Sequence, residues 1–206
     1  MKFPERGLYA ITQADGKSSD AVIEQISSAI KGGAAVIQYR DKSSVDLDRL
    51  YLAKRLLSIC KQHKVPLIIN DDADLALQIG ADGVHIGKDD GGITQAREKL
   101  GSNAIIGLSC YDDLTLSLQA QSNGADYVAF GRFFPSNSKP LALPAHLETL
   151  QQAKKKINIP IVAIGGILPE NGGQLLDAGA NVLAVIDGLF ASNPEQSAKT
   201  YLKLFN

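Results

Sequence analysis

The chain is predicted to fold as a closed (β/α)8 barrel, one α/β domain taking up all of residues 1–206, and three observations predict it. Short apolar runs alternate with helix-like segments from one end to the other, the pattern of a parallel sheet covered by helices. Four near-repeats, Gly33-Ala34-Ala35, Gly80-Ala81-Asp82, Gly124-Ala125-Asp126 and Gly179-Ala180-Asn181, each close a helix just before an apolar run, marking strands two, four, six and eight. No GxGxxG fingerprint follows the first strand, which argues against an open doubly wound sheet, the main rival. The length is slightly below the ~250 residues usual for such barrels.

The elements follow in order. Residues 7–12 read as strand one, and Ser18-Ser19-Asp20 offers N-cap chemistry for a helix with apolar positions Val22, Ile23, Ile26 and Ile30, stopped by Gly32-Gly33. Strand two spans residues 34–39 and leads to a long helix over 45–63. Leu67-Ile68-Ile69 and residues 83–87 are strands three and four, separated by a helix over 73–79. A helix at 93–100, strand five at 104–109 and a helix at 114–122 come next. Strand six, 127–131, runs into the longest polar loop candidate, 132–140; loops of such length inside compact domains are usually functional. The helix at 145–157 carries Lys154-Lys155-Lys156 near its C-terminus, where cations suit the dipole, so this run reads as a solvated surface feature. Strand seven, 159–164, ends in Gly165-Gly166; a helix at 172–178, strand eight at 182–186 and a helix at 194–205 complete eight strands and eight helices.

Composition excludes several classes. With 21 basic and 22 acidic residues the net charge is −1, so there is no bulk attraction to nucleic acid or to an anionic membrane. No apolar run approaches the ~20 residues of a membrane span, and residues 1–7 lack a signal core, which points to a cytoplasmic protein. Cys60 and Cys110 fit reduced core thiols rather than a disulfide framework or zinc site, and His63, His85 and His146 form no metal motif.

In a barrel the active site lies at the C-terminal ends of the strands, so the residues closing each strand are the candidates. Strand two supplies Gln38, Arg40 and Lys42, which alternation puts on one side; three supplies Asn70 and Asp71; four, Asp90; five, Ser109; six, Ser136, Ser138 and Lys139; seven, Gly166; eight, Ile186 and Asp187. Two acidic stretches, Asn70-Asp71-Asp72 and Lys88-Asp89-Asp90, should emerge on the same edge. Carboxylates so crowded require a proton, basic neighbours or a hard divalent cation, and Mg²⁺ with a phosphorylated substrate accounts for acids, bases and hydroxyls on one rim. Capping of the following helices by Asp71, Asp72 or Asp90 is the plainer alternative. Gly165-Gly166 and Asp187-Gly188 match the phosphate site that barrels build after strands seven and eight, although glycines also simply turn such corners. Lys139 reads as a phosphate clamp rather than a Schiff-base lysine, because it lies in a polar loop beyond Pro135. Arg40 and Lys42, taken singly, could be rim salt bridges. His85, inside a strand, reads as a core or supporting histidine, and Cys110 beside Ser109 has no companion pattern for nucleophilic catalysis.

Six motifs in order, Gln38-Tyr39-Arg40-Asp41-Lys42, Asn70-Asp71-Asp72, residues 82–90, Gly107-Leu108-Ser109, residues 131–139 and Gly165-Gly166-Ile167, together resemble the thiamine-phosphate synthase family over nearly the whole chain. The resemblance implies an Mg²⁺-dependent transferase that joins 4-amino-5-hydroxymethyl-2-methylpyrimidine diphosphate to 4-methyl-5-(2-phosphoethyl)thiazole by a dissociative route, through a pyrimidine-methyl cation. By motif it gives the pyrimidine diphosphate to residues 38–42, that is Gln38, Tyr39, Arg40, Asp41 and Lys42, with Asn70, Ser109 and Lys139. Arg40, Lys42, Ser109 and Lys139 are implied as the catalytic set and Asp71 with Asp90 as the metal ligands. Ser136, Asn137, Ser138, Gly166, Ile186 and Asp187 are implied at the thiazole phosphate. The family commonly has threonines where this chain has Ser136 and Ser138, which keeps the hydroxyls, and a small neutral residue at Asp187, where a carboxylate would repel phosphate unless its side chain turns away. A thiazole tautomerase would share the barrel and the thiazole site but not the full pyrimidine-diphosphate set, and Cys110 stands where its basic residue is expected. A non-catalytic sensor would need a damaged metal pair. A homo-oligomer is compatible with the sequence.

Overall fold

The computed structural model describes residues 1–14, 16–41, 46–87, 92–136 and 143–206. Eight parallel strands close on themselves: β1 (Gly7–Ile11), β2 (Val36–Tyr39), β3 (Leu67–Asn70), β4 (Gly83–Ile86), β5 (Ile105–Tyr111), β6 (Tyr127–Phe130), β7 (Ile161–Ile164) and β8 (Val182–Val185), each bonded to its sequence neighbours and β8 to β1. Between them run α1 (Ser19–Lys31), α2 (Asp46–His63), α3 (Ala73–Ile79), α4 (Gly92–Leu100), α5 (Leu114–Ser122), α6 (Leu147–Lys156) and α7 (Pro169–Ala178). The expected strand order and helix placement hold, with ends moved by one to three residues. One element was not foreseen: a four-residue helix, α8 (Asp187–Phe190), starts where strand eight was expected to finish. The last helix, α9 (Pro194–Leu202), then gives way to a 3-10 turn, Lys203–Phe205.

The strands are rich in Val, Ile and Leu because both faces are buried. Alternation sends Ile37, Tyr39, Val84, Ile86, Val128 and Phe130 outward against the helices. It sends Tyr9, Val36, Ile68, Ile105, Tyr127, Val162 and Val182 into the lumen. Phe3 joins this inner set, its ring stacked on Tyr127 at 3.9 Å and 13°. Gly107 makes room for that arrangement: a Cβ there would lie 2.0 Å from Tyr127 Cζ.

The near-repeat has a mechanical meaning at the N-terminal ends of the strands. Asp82 accepts the Leu67 N–H at 2.9 Å, Asp126 the Ile106 N–H at 2.8 Å, and Asn181 the Ile161 N–H at 2.9 Å. The backbone N–H of each donates to the carbonyl of the same residue in return. Each even strand is thus locked to the preceding odd strand by one side-chain oxygen. In the first copy Ala35 has no such oxygen and keeps only the bond from its N–H to Leu8 O, 2.8 Å. This end of a barrel serves stability rather than chemistry. Asn181→Ala should therefore lower the unfolding free energy by about 1–3 kcal/mol, the range for stranding a buried donor. Urea denaturation would read the change, and an unaltered midpoint would show that the bracket contributes nothing.

Candidate active site

Most of the expected strand-end residues meet at the opposite rim. A cavity of about 300 Å³ sits above the lumen and is lined by Gln38, Arg40, Asn70, Asp71, Ser109, Ser136 and Ile186, together with Tyr9, His85, Tyr111 and Arg132. It adjoins a smaller cleft, about 170 Å³, walled by Gly165, Gly166, Asp187 and Gly188; Ser136, Ile164, Ala184 and Ile186 belong to both. Lys42, Asp90, Asn137, Ser138 and Lys139 lie outside the described residues.

Local structure explains each placement. Gln38 faces inward from β2, and its Nε2 donates to Tyr9 Oη at 2.8 Å. Arg40 follows the strand, and Thr12 pins its backbone: the Thr12 hydroxyl accepts from Arg40 N–H at 2.8 Å and donates to Arg40 O at 2.9 Å. Tyr39, expected among the substrate contacts, points its side chain the other way, into the layer between barrel and helices, because neighbours on a strand face opposite sides. Its hydroxyl donates to Asp41 Oδ2 at 3.0 Å, and Asp41 lines an outer hollow, about 580 Å³, that shares Asn70 and Asp71 with the main cavity.

The acidic stretch after β3 divides its labour. Asp72 is the cap: Oδ1 accepts from Leu75 N–H at 2.8 Å at the start of α3, and Oδ2 pairs with Arg49 at 3.0 Å. Asp71 instead adopts a left-handed backbone, φ 61°, with its N–H donating to His85 O at 2.8 Å and Asn70 Nδ2 donating to its carboxylate at 2.6 Å. A non-glycine residue in that region costs of order 1–3 kcal/mol and is characteristic of functional positions. The same conformation recurs at Tyr111, φ 54°, where a bulge between Ser109 and Tyr111 re-aims the end of β5. No cluster of three or more metal-ligating side chains occurs among the described residues. Asp71 at the cavity wall, an all-oxygen donor beside Asn70, suits a hard cation that takes one or two carboxylates and fills its shell with water and phosphate.

The glycine cleft is more than a corner. At Gly166, φ 62°, a Cβ would come within 2.3 Å of Pro135 O, so glycine lets the segment after β6 lie against the end of β7. Phe133 and Phe134 donate there to Ile164 O and Gly165 O at 3.2 and 3.0 Å. Asp187 opens α8, the short extra helix that phosphate-binding barrels carry after their last strand; its first turn leaves N–H groups without intrahelical partners.

The sequence pattern of the family described as thiamine monophosphate synthase matches residues 8–189. Over 207 residues the chain is 49% identical to the thiamine-phosphate synthase of Methylococcus capsulatus, spanning 100% of this chain and 92% of that one. The chain belongs to the thiamine monophosphate synthase family. The thiamine-phosphate synthase of Nitrosococcus oceani is 52% identical over 193 residues, 94% of this chain and 89% of that one. Among solved structures, thiamine phosphate pyrophosphorylase from Pyrococcus furiosus superposes with a TM-score of 0.87 at 32% identity, over 97% of this chain and 95% of that one. A 3-hexulose-6-phosphate synthase, TM-score 0.68 at 18% identity over 95% and 98%, shares the fold alone.

Two features of this family member went unread in the sequence. Arg132 opens the loop after β6 and lines the cavity as a second cation. Tyr9 and Tyr127 join Gln38, His85 and Ser109 in a hydrogen-bonded chain across the lumen. Strict alternation in β1 and β6 could have marked both tyrosines as inward-facing, but a buried tyrosine is as often plain core. Burial pushes the Cys60 and Cys110 thiols up to about 12, and Cys110 faces the helices, which removes it as a nucleophile or base.

Beyond the cavity, Asp112 holds the start of α6. It accepts from the backbone N–H of His146 at 3.0 Å and meets the ring Nδ1 at 2.6 Å. Burial works against the charged carboxyl, but hydrogen bonds from Thr149 and His146 outweigh it and hold Asp112 below its usual 3.8. The same hydrogen bond, then the carboxylate's charge, raises His146 above 6.5. A raised histidine supports the fold fully below its unfolded value and loses that support as pH climbs through the folded one; a lowered carboxyl does the reverse. The clamp is thus in force between the two values. An NMR titration should place the His146 midpoint above 6.5 and return it toward 6.5 in Asp112→Asn; an unchanged midpoint in the variant would contradict the pairing.

Proposed function

We propose that the chain is a thiamine-phosphate synthase: it transfers the pyrimidine-methyl group of 4-amino-5-hydroxymethyl-2-methylpyrimidine diphosphate to the ring nitrogen of 4-methyl-5-(2-phosphoethyl)thiazole, forming thiamine phosphate and diphosphate. The observation that carries this reading is the pair of confluent cavities, one walled by Arg40, Arg132, Asn70, Asp71 and Ser109, the other by glycines and the start of α8. They suit two phosphorylated substrates held side by side.

The reaction breaks the methylene carbon–oxygen bond, with the electron pair leaving on the diphosphate, and forms a carbon–nitrogen bond from the thiazole lone pair. No proton need move, which agrees with a cavity whose histidine has both ring nitrogens engaged and whose cysteines are buried elsewhere. Catalysis then rests on positioning and charge. Arg40 and Arg132 neutralise the leaving group, with Lys42 and Lys139 assigned to it by motif. Ser136, Gly166, Ile186 and α8 hold the thiazole phosphate, with Asn137 and Ser138 by motif. Asp71 together with Asp90 would hold Mg²⁺, which when bound offsets the charge of the diphosphate as it departs. The partners are small molecules in a cytoplasmic setting; among the described residues no helix is long and apolar enough to cross a membrane.

Arg40→Ala should lower the turnover of the pyrimidine diphosphate by about 10²–10³, as removal of one preorganised charge donor does, while the KM for the thiazole phosphate stays within about twofold. Asp71→Ala should abolish the Mg²⁺-dependent coupling with the fold intact by circular dichroism. Wild-type kinetics in both variants would refute the assignment.

A further inference from the structure

The residues with a motif-based role end at Gln38 on one side of the cavity and Ser109 on the other, but three buried side chains join them. Gln38 Nε2 donates to Tyr9 Oη at 2.8 Å; Tyr9 Oη lies 2.9 Å from Tyr127 Oη; Tyr127 Oη lies 2.9 Å from His85 Nδ1; His85 Nε2 lies 2.8 Å from Ser109 Oγ. Tyr9 and Tyr127 are almost wholly buried, 1% and 0% exposed. Water therefore has little access to complete their hydrogen bonding.

We infer that Tyr9, Tyr127 and His85 are positioning residues that fix the polarity of the cavity floor, making Ser109 a hydrogen-bond donor to the substrate and leaving Gln38 Oε1 as an acceptor. With the Gln38 amide placed as its Nε2 contact to Tyr9 has it, counting hydrogens gives the direction. A phenol has one hydrogen. Tyr9 accepts from Gln38, so its own hydrogen goes to Tyr127, its only other partner among the described residues. Tyr127, having accepted, donates to His85 Nδ1. The imidazole then carries its proton on Nε2 and donates to Ser109 Oγ, so the Ser109 hydrogen turns to the cavity that Ser109 lines. In the reverse order, or with a doubly protonated ring, Tyr127 would donate to Tyr9, and the Tyr9 hydrogen would be stranded in a buried position. The forward order strands nothing. A ligand ring on this floor must offer an N–H toward Gln38 and an acceptor atom toward Ser109, the pattern of an amino-substituted nitrogen heterocycle. The identity of that ligand rests on the function proposed above; the direction of the chain does not.

Nitrogen-15 NMR of the histidine-labelled protein should find the His85 proton on Nε2 alone; a proton on Nδ1, or on both nitrogens, overturns the inference whether or not coupling activity is found. Gln38→Glu supplies the sharper test. Once ionised, the introduced carboxylate can only accept, every bond in the chain reverses, and the His85 proton moves to Nδ1. Retention on Nε2 at a pH where that carboxylate is ionised refutes the coupling, and a side chain that merely packs would not respond. Tyr127→Phe keeps the ring on Phe3 but cuts the chain. It should raise the KM for the pyrimidine diphosphate about tenfold, equivalent to about 1.4 kcal/mol, with the KM for the thiazole phosphate within about twofold. Equal KM values to wild type for both substrates would remove the positioning role.

Discussion

Closure of the sheet is the constraint on which everything else hangs. Because β8 pairs with β1 in parallel, no strand edge is exposed and all eight strands deliver their C-terminal ends to one rim. Residues as far apart as Gln38 and Ile186 become walls of a single cavity through this topology alone. The opposite rim is left free for fastening, and the recurring Asp82, Asp126 and Asn181 brackets occupy it. Stability and chemistry are thereby separated along the barrel axis.

The lumen links the two ends. Phe3 packs under Tyr127, Gly107 leaves the space that ring needs, and the Tyr127 hydroxyl then meets both Tyr9 and His85. One tyrosine thus contributes apolar area below and a polar contact above, where an unsatisfied buried hydroxyl would cost about 1–3 kcal/mol. The floor of the cavity is consequently built from packed, mutually hydrogen-bonded side chains, while Arg40 and Arg132 stand among its walls.

How much of this was legible in the sequence depended on which physical signal each residue carries. Strand-end positions such as Arg40, Asn70 and Ser109 followed from βα alternation and the barrel rule alone. The Tyr39 side chain faces away from the cavity, because a strand sends Gln38 and Tyr39 to opposite faces, whereas a motif treats neighbouring residues as a group. Capping by either Asp71 or Asp72 was open in the sequence; the structure gives the cap of α3 to Asp72 and leaves Asp71 on the cavity wall. α8 was invisible because four residues are too few to show a helical period, and Asp187 consequently read as a strand end.

The two adjoining cavities should act as one coupling site. Purified protein, given the pyrimidine diphosphate, the thiazole phosphate and Mg²⁺ together, should release diphosphate and thiamine phosphate in equal amounts, and neither when one substrate is withheld. Diphosphate released without thiamine phosphate, or no product with all components present, would show that the two cavities do not couple the substrates.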